Sequence, residues 1–326
     1  MRDSIKRLET LDCMRGIAAI VVVFFHYSKF SGNRIGELFF SWGYTGVYLF
    51  FMISGFVIFM SVKRDTKWIE FVKKRFIRLY PVFWFCMVLS AVSVFIFGLS
   101  GREVSLVDFL INFTMIPKVF GAKLVDGVYW TLLYEFFFYT LITIIIFFKI
   151  IEKFYIWIGI WLFLCFLNNA FSMIPQPLAH LSNLYFGNFF IAGILFYKLK
   201  FIRLSDWKTH LLILATFIVY LCLYKDFKEL IAVLMYYSIF YLFVFDKLIW
   251  LKSSVLVKLG MISYTLYLLH QNIGYIIIER LEGYISYQSL WIMLVPLVFS
   301  LILAFLVFRY IEKPLLLQFK KWFLGN

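Results

Sequence analysis

Three ionisable side chains interrupt an otherwise apolar run, "LDCMRGIAAIVVVFFHYSKF" from Leu11 to Phe30: Asp12, Arg15 and His26. Arg15 and His26 are eleven residues apart, which at 100° per residue is about three turns plus 20°, so a helix carries both on one face, about 16 Å apart along its axis. Asp12 falls about 60° away on the same stripe. Asp12 and Arg15 also fit an interfacial ion pair with Arg15 reaching back to water along its own stem. His26 is different, because an ionisable group deep in a span is a functional candidate by default. An imidazole titrates near neutral pH, which suits it to moving a proton.

Three further segments carry polar groups that fall in the same layer. His26 lies about 21 Å from the inner end of its helix if that end is near Asp12. A later helix entering from the other side at "YWTLLYEFFFY" places Glu135 about 9 Å below the outer surface, and Ser54 in "GVYLFFMISGFVIF" lies about 12 Å below it. In a hydrocarbon core of about 30 Å these depths coincide. His270, in "SYTLYLLHQN", lies near the midplane. An imidazole, a carboxylate and a hydroxyl in one layer have the make-up of an active site. Each has a plainer reading. His26 could be a hydrogen-bonded structural histidine, Ser54 beside Gly55 fits a small helix-packing residue, and His270 either lines the cavity or satisfies a neighbour.

The elements that must position these groups are membrane helices. Of the 326 residues 63% are hydrophobic and 15% charged, and the mean hydropathy is +0.90. A soluble domain is near half apolar and a quarter charged. With roughly 20 apolar residues needed per crossing, ten stretches qualify: 12–30, 46–62, 80–98, 129–149, 154–171, 183–199, 210–225, 229–246, 259–278 and 289–308. The expectation is an all-α, polytopic transmembrane bundle of about ten helices forming a single membrane domain over 1–326, with no appended soluble domain. Within the connection 99–128, "SLVDFLINFTMIPKVFG" reads as an interfacial helix.

The net charge of +14 sets topology rather than drawing nucleic acid, because the basic residues cluster between apolar runs. With the N-terminus inside, only Lys29, Arg34, Arg102, Lys118, Lys123, Lys225, Lys228 and Arg280 fall outside, eight of 32. Both termini are therefore expected in the cytoplasm. The start "MRDSIKR" precedes an apolar run too long for a cleaved signal and reads as a retained first span. Cys13, Cys86, Cys165 and Cys222 lie in apolar runs without metal-like spacing, so neither a disulfide framework nor a metal site is expected.

These segments resemble the bacterial integral membrane acyltransferase 3 family, the O-acyltransferases of surface polysaccharides. "RLETLDCMRGIAAIVVVFFH" resembles the family's opening motif, with an Arg and a His separated by ten residues. "GVYLFFMISGFVI" is similar to its second-helix block and "FVKKRFIRLYPVFW" to its basic loop before a proline. "YWTLLYEFFFY", "SYTLYLLH" and "RYIEKPL" are similar to its Trp-x-Leu-x-x-Glu, Ser-Tyr-x-x-Tyr-Leu-x-His and Glu-x-Pro blocks. Six blocks in order make the resemblance specific. Met14 where Leu is common, and Leu133-Tyr134-Glu135 in place of a more polar stretch, depart from the pattern.

The resemblance implies transfer of an acyl group, commonly acetyl, from cytoplasmic acyl-CoA to a sugar hydroxyl on the outer side of a bacterial cytoplasmic membrane. No cofactor is held permanently; acetyl-CoA is the donor substrate, and the partners are a carbohydrate or lipid-linked glycan and membrane lipid. On that reading His26 is the general base, Glu135 orients it, and Arg15, Lys74, Arg75 and Arg78 meet the phosphates of coenzyme A, which guanidinium groups bind well. Asp12, Ser54 and His270 are supporting residues, and Ser54 becomes a candidate nucleophile. Trp42, Tyr44, Tyr129 and Trp130 are aromatic surfaces for a sugar ring or simple belt residues. A flippase for lipid-linked glycan, or an acyltransferase for peptidoglycan, a glycolipid or a small molecule, stays open beside this reading.

Overall fold

The computed structural model describes residues 8–202, 204, 206–224 and 226–325. Arg2, Lys6, Arg7, Arg203 and Lys225, which enter the charge count above, lie outside the described residues. Among the described residues every regular element is a helix, the α-helices being in chain order α1 (Glu9–Ser31), α2 (Arg34–Phe40), α3 (Gly46–Met60), α4 (Trp68–Phe97), α5 (Leu106–Asn112), α6 (Trp130–Phe147), α7 (Phe154–Phe171), α8 (Gln176–Leu181), α9 (Gly187–Phe201), α10 (Trp207–Leu221), α11 (Phe227–Val244), α12 (Ser254–Leu281), α13 (Trp291–Val307) and α14 (Lys313–Leu324). The protein is an all-α membrane helical bundle. Each of the ten apolar stretches falls on one of these helices. Among the described residues, seven segments are long and apolar enough to cross a bilayer. The stretches behind α9, α10 and α12 are not among them. The first two helices have 15 residues each, and the buried middle of α12 carries Ser263, Thr265, His270, Gln271 and Asn272.

The chain divides into two compact units. One comprises residues 1–15, 47–72 and 134–257, and the other 16–46, 73–133 and 258–326. In the first, α9 is apolar all round and packs against α7, α10 and α11, the pattern expected of a helix enclosed by protein rather than lipid. Its crossing with α3 is set by two glycines: a Cβ on Gly55 would run into the Phe190 carbonyl, and one on Gly193 into the Met52 carbonyl. Small residues at such a crossing let two backbones touch, which is what holds helices together where the hydrophobic effect is absent.

In the second unit the connection 99–128 holds the two-turn helix α5, a 3₁₀ turn at Pro117–Phe120 and a return segment of irregular backbone. The expected interfacial helix is thus shorter than its sequence suggested. Asn112 stops it: its amide nitrogen donates to the carbonyls of Asp108 and Lys123, and its carbonyl accepts from Val125 N–H. In the same unit, five residues between α13 and α14, Phe308–Glu312, wind as a π-turn. Pro314 explains it. Proline has no N–H for the Tyr310 carbonyl and its ring would strike it, so the helix opens by one residue and Lys313 N–H reaches back to Phe308. Such insertions often mark functional positions.

Candidate active site

Within the second unit, α1 and α12 bring two of the expected residues together. His26 and His270 are 244 positions apart in sequence, yet His26 Nδ1 lies 3.1 Å from His270 Nε2. The surrounding carbonyls fix where the protons are. His270 Nδ1 faces the carbonyls of Tyr267 at 2.8 Å and Leu266 at 3.2 Å, and a carbonyl only accepts, so Nδ1 carries the hydrogen and Nε2 is bare. His26 Nδ1 faces the Val22 carbonyl at 2.9 Å and that bare Nε2, so it too is N–H and donates to both. The remaining nitrogen, His26 Nε2, keeps an open lone pair. His26 is half-buried and His270 is 0% exposed.

The segment of α12 carrying His270 is gripped from outside. Tyr129 O–H donates to the Leu268 carbonyl at 3.1 Å, Tyr27 O–H to the His270 carbonyl at 2.9 Å, and Asn272 N–H to the Asp126 carboxylate at 3.1 Å. Since Tyr27 spends its proton on His270, the Ser300 hydroxyl 2.8 Å away must donate to Tyr27. Gly274 makes room for this tyrosine, because a Cβ there would overlap its ring. Asp126 is wholly buried and also accepts from Ser90 Oγ and Val128 N–H. Burial pushes its carboxyl up to about 6, against the pull of the Asn272 and Val128 amides. One turn beyond the histidines, Phe30 and Tyr275 stack at 3.8 Å, and the Arg102 guanidinium lies 5.4 Å from the Tyr275 ring.

The same helix α12 serves a second cluster. Glu312, placed by the π-turn and 1% exposed, binds Arg78 Nη1 at 2.5 Å and Thr265 Oγ1 at 2.5 Å. Arg78 lies 5.3 Å from the Tyr264 ring. Lys74, Arg75 and Arg78 share one side of α4 through their three- and four-residue spacing. Lys74 is exposed and the two arginines are half-buried. Glu312 is a residue that sequence reasoning quoted but gave no role. A carboxylate at the end of an apolar span, two positions before a proline, was the available signal.

The first unit holds the other expected groups. Ser54 Oγ donates to Glu135 at 3.2 Å, and Tyr139 O–H donates to the same carboxylate oxygen. The small-residue packing role on α3 belongs to Gly55, while Ser54 has a polar partner. Asp12 and Arg15 are half-buried on the first two turns of α1. Of the four aromatic residues considered for sugar contact, Tyr129 is 2% exposed and occupied with Leu268, so it belongs to the core. Trp42, Tyr44 and Trp130 are half-buried.

A family model described as "Acyltransferase domain" matches residues 8–309. ORF330 of Acidianus two-tailed virus, provisionally named an acetyltransferase, is 26% identical over 292 residues, 84% of this chain and 84% of that protein. No solved structure matches significantly.

Proposed function

The chain belongs to this acyltransferase family, and on that premise we propose that it is a membrane O-acyltransferase carrying an acyl group, typically acetyl, from cytoplasmic acyl-CoA to a sugar hydroxyl of a cell-surface or lipid-linked glycan. The observation that supports this most is the open Nε2 lone pair of His26, on a spanning helix, with Nδ1 already committed. A base in that state accepts the proton of an attacking hydroxyl. The electron pair of that O–H bond forms the new bond to the thioester carbonyl carbon. The carbon–sulfur bond breaks, and the departing thiolate takes the proton back from His26 Nε2.

Donor recognition falls to Arg15, Lys74, Arg75 and Arg78, cations suited to the phosphates of coenzyme A. Glu312 would fix Arg78 for that purpose through its bond to Nη1. The host membrane is read as the bacterial cytoplasmic membrane, with the nucleotide end of the donor on its inner side.

Ser54 supports a second reading. A hydroxyl donating to a carboxylate is the arrangement of a nucleophile beside its base, and it would route the acyl group through a Ser54 ester. Acyl label that stays on the chain until hydroxylamine treatment, and is lost in Ser54→Ala, selects this route. Turnover with an unlabelled chain selects direct transfer.

The cellular test is mass spectrometry of surface glycans in cells carrying the wild-type gene or His26→Ala. The expected result is loss of the ester with glycan export intact. Loss of the glycan itself would replace the proposal with a flippase.

A further inference from the structure

The histidine pair carries an assignment beyond the base itself. We propose that His270 is a positioning residue for His26: its bare Nε2 takes the Nδ1 hydrogen, keeps the reactive lone pair on Nε2, and shares the positive charge when His26 is protonated. The inference rests on the reading of His26 as the base.

Four observations support it. The contact is between ring nitrogens at 3.1 Å, and the carbonyls of Tyr267 and Leu266 leave His270 no tautomer other than Nδ1–H. A neutral imidazole in water favours the opposite tautomer, so the environment must hold His26 in this one. The ring hydrogen is shared between the Val22 carbonyl at 2.9 Å, one of whose two lone pairs takes the His26 backbone N–H within α1, and His270 Nε2 at 3.1 Å, the acceptor that another helix brings to it. Finally, His270 is 0% exposed and held on both sides through Leu268 and Asn272 and at its own carbonyl. A group so enclosed cannot meet substrate, but it can orient a neighbour that does. This is the place a carboxylate takes in a Ser-His-Asp triad. Here a neutral acceptor fills it, so no charge has to be buried beside the base.

The chemistry closes without another reactant. The acceptor proton arrives at His26 Nε2, and the strengthened Nδ1–H bond to His270 Nε2 stabilises the imidazolium. When the thiolate removes the proton from Nε2, both rings return to their starting tautomers.

His270→Phe and His270→Gln separate this role from simple packing. Phenylalanine fills the space without an acceptor, whereas glutamine can place Oε1 where Nε2 stood. In purified full-length protein, His270→Phe is expected to lose about 10²-fold in kcat with KM for acyl-CoA within about twofold, and His270→Gln to recover most of that loss. With only four histidines in the chain, ¹⁵N spectra of histidine-labelled protein, assigned with His26→Gln, should show a bare Nε2 on His26. In His270→Phe the signal should move toward the Nε2–H tautomer. Equal losses in both variants with the His26 signal unmoved would overturn the assignment, as would a wild-type kcat in His270→Phe. If His26→Gln itself kept full activity, the base reading would fall first. If His270→Phe does not fold, the glutamine variant still decides: activity near wild type with a bare His26 Nε2 supports the role, and loss of both rejects it.

Discussion

Gly274→Ala should be far more damaging than its size suggests. Ordinary contact begins at 3.4 Å, so the Tyr27 ring would have to retreat by about 1 Å. Tyr27 is 0% exposed, so any retreat is made against protein rather than into solvent. Moving it stretches the 2.9 Å bond to the His270 carbonyl and the 2.8 Å bond to Ser300 past the useful limit. Overpacking costs about 1–3 kcal/mol, and leaving buried polar groups unmatched adds about 1–3 kcal/mol. Alanine's better helix propensity returns about 1 kcal/mol. The net expectation is a loss of about 1–5 kcal/mol, with activity falling more steeply because the carbonyl that loses its partner is that of His270. Denaturant unfolding in micelles, with acyl transfer measured on the same samples, checks both. Tyr27→Leu removes the overlapping ring, so Gly274→Ala in that background should cost about 1–3 kcal/mol less than alone. A Gly274→Ala protein within about 0.5 kcal/mol of wild type, or strictly additive costs in the pair, would refute the reasoning.

Two other outcomes follow from the same unit. Glu312→Ala removes the carboxylate from a pair whose acid is fully enclosed and whose Arg78 side chain is 33% exposed; the 3–5 kcal/mol typical of a broken buried pair is discounted for that exposure to about 2–3 kcal/mol. It should also raise KM for acyl-CoA, with Glu312→Gln intermediate because Thr265 keeps an acceptor; unchanged unfolding and KM in Glu312→Ala would contradict this. Asp126 holds its proton more tightly folded, about 6 against an ordinary 3.8. The folded state therefore binds more protons between those values, and this group's contribution to stability is full below about pH 4 and lost as pH rises through about 6. Asp126→Asn should flatten that slope in unfolding measured from pH 4 to 7, and an unchanged slope would assign it to another group.

Much of this architecture can be read along a single helix. Apolar length gave the helices, seven of them long and apolar enough to cross among the described residues, and the polar interruptions drew attention to His26, Glu135, Ser54 and His270. Partner choice could not be read in the same way. Periodicity says which face of α1 bears His26, but the crossing that puts His270 Nε2 on its Nδ1 is set by side chains such as Tyr27, packed against Gly274 far along the chain. The sequence expectation gave Glu135 the orienting role; in the structure its carboxylate accepts from Ser54, 81 positions away, and from Tyr139 one turn on. Asp126 went unnoticed because a carboxylate just before a helix reads as a routine cap. Only its complete burial against Ser90 and Asn272 distinguishes it. Glu312 was hidden for a different reason: a regular helix would point it elsewhere, and the turn that aims it at Arg78 arises from Pro314.

The most direct test uses purified protein in sealed liposomes, with acyl-labelled acyl-CoA supplied on the cytoplasmic face and a glycan acceptor enclosed on the other. Wild-type protein should move label onto the enclosed glycan as an alkali-labile ester, and His26→Gln should slow that transfer by about 10²–10⁴-fold while remaining folded. Label appearing on the glycan at the wild-type rate with His26→Gln would contradict the account.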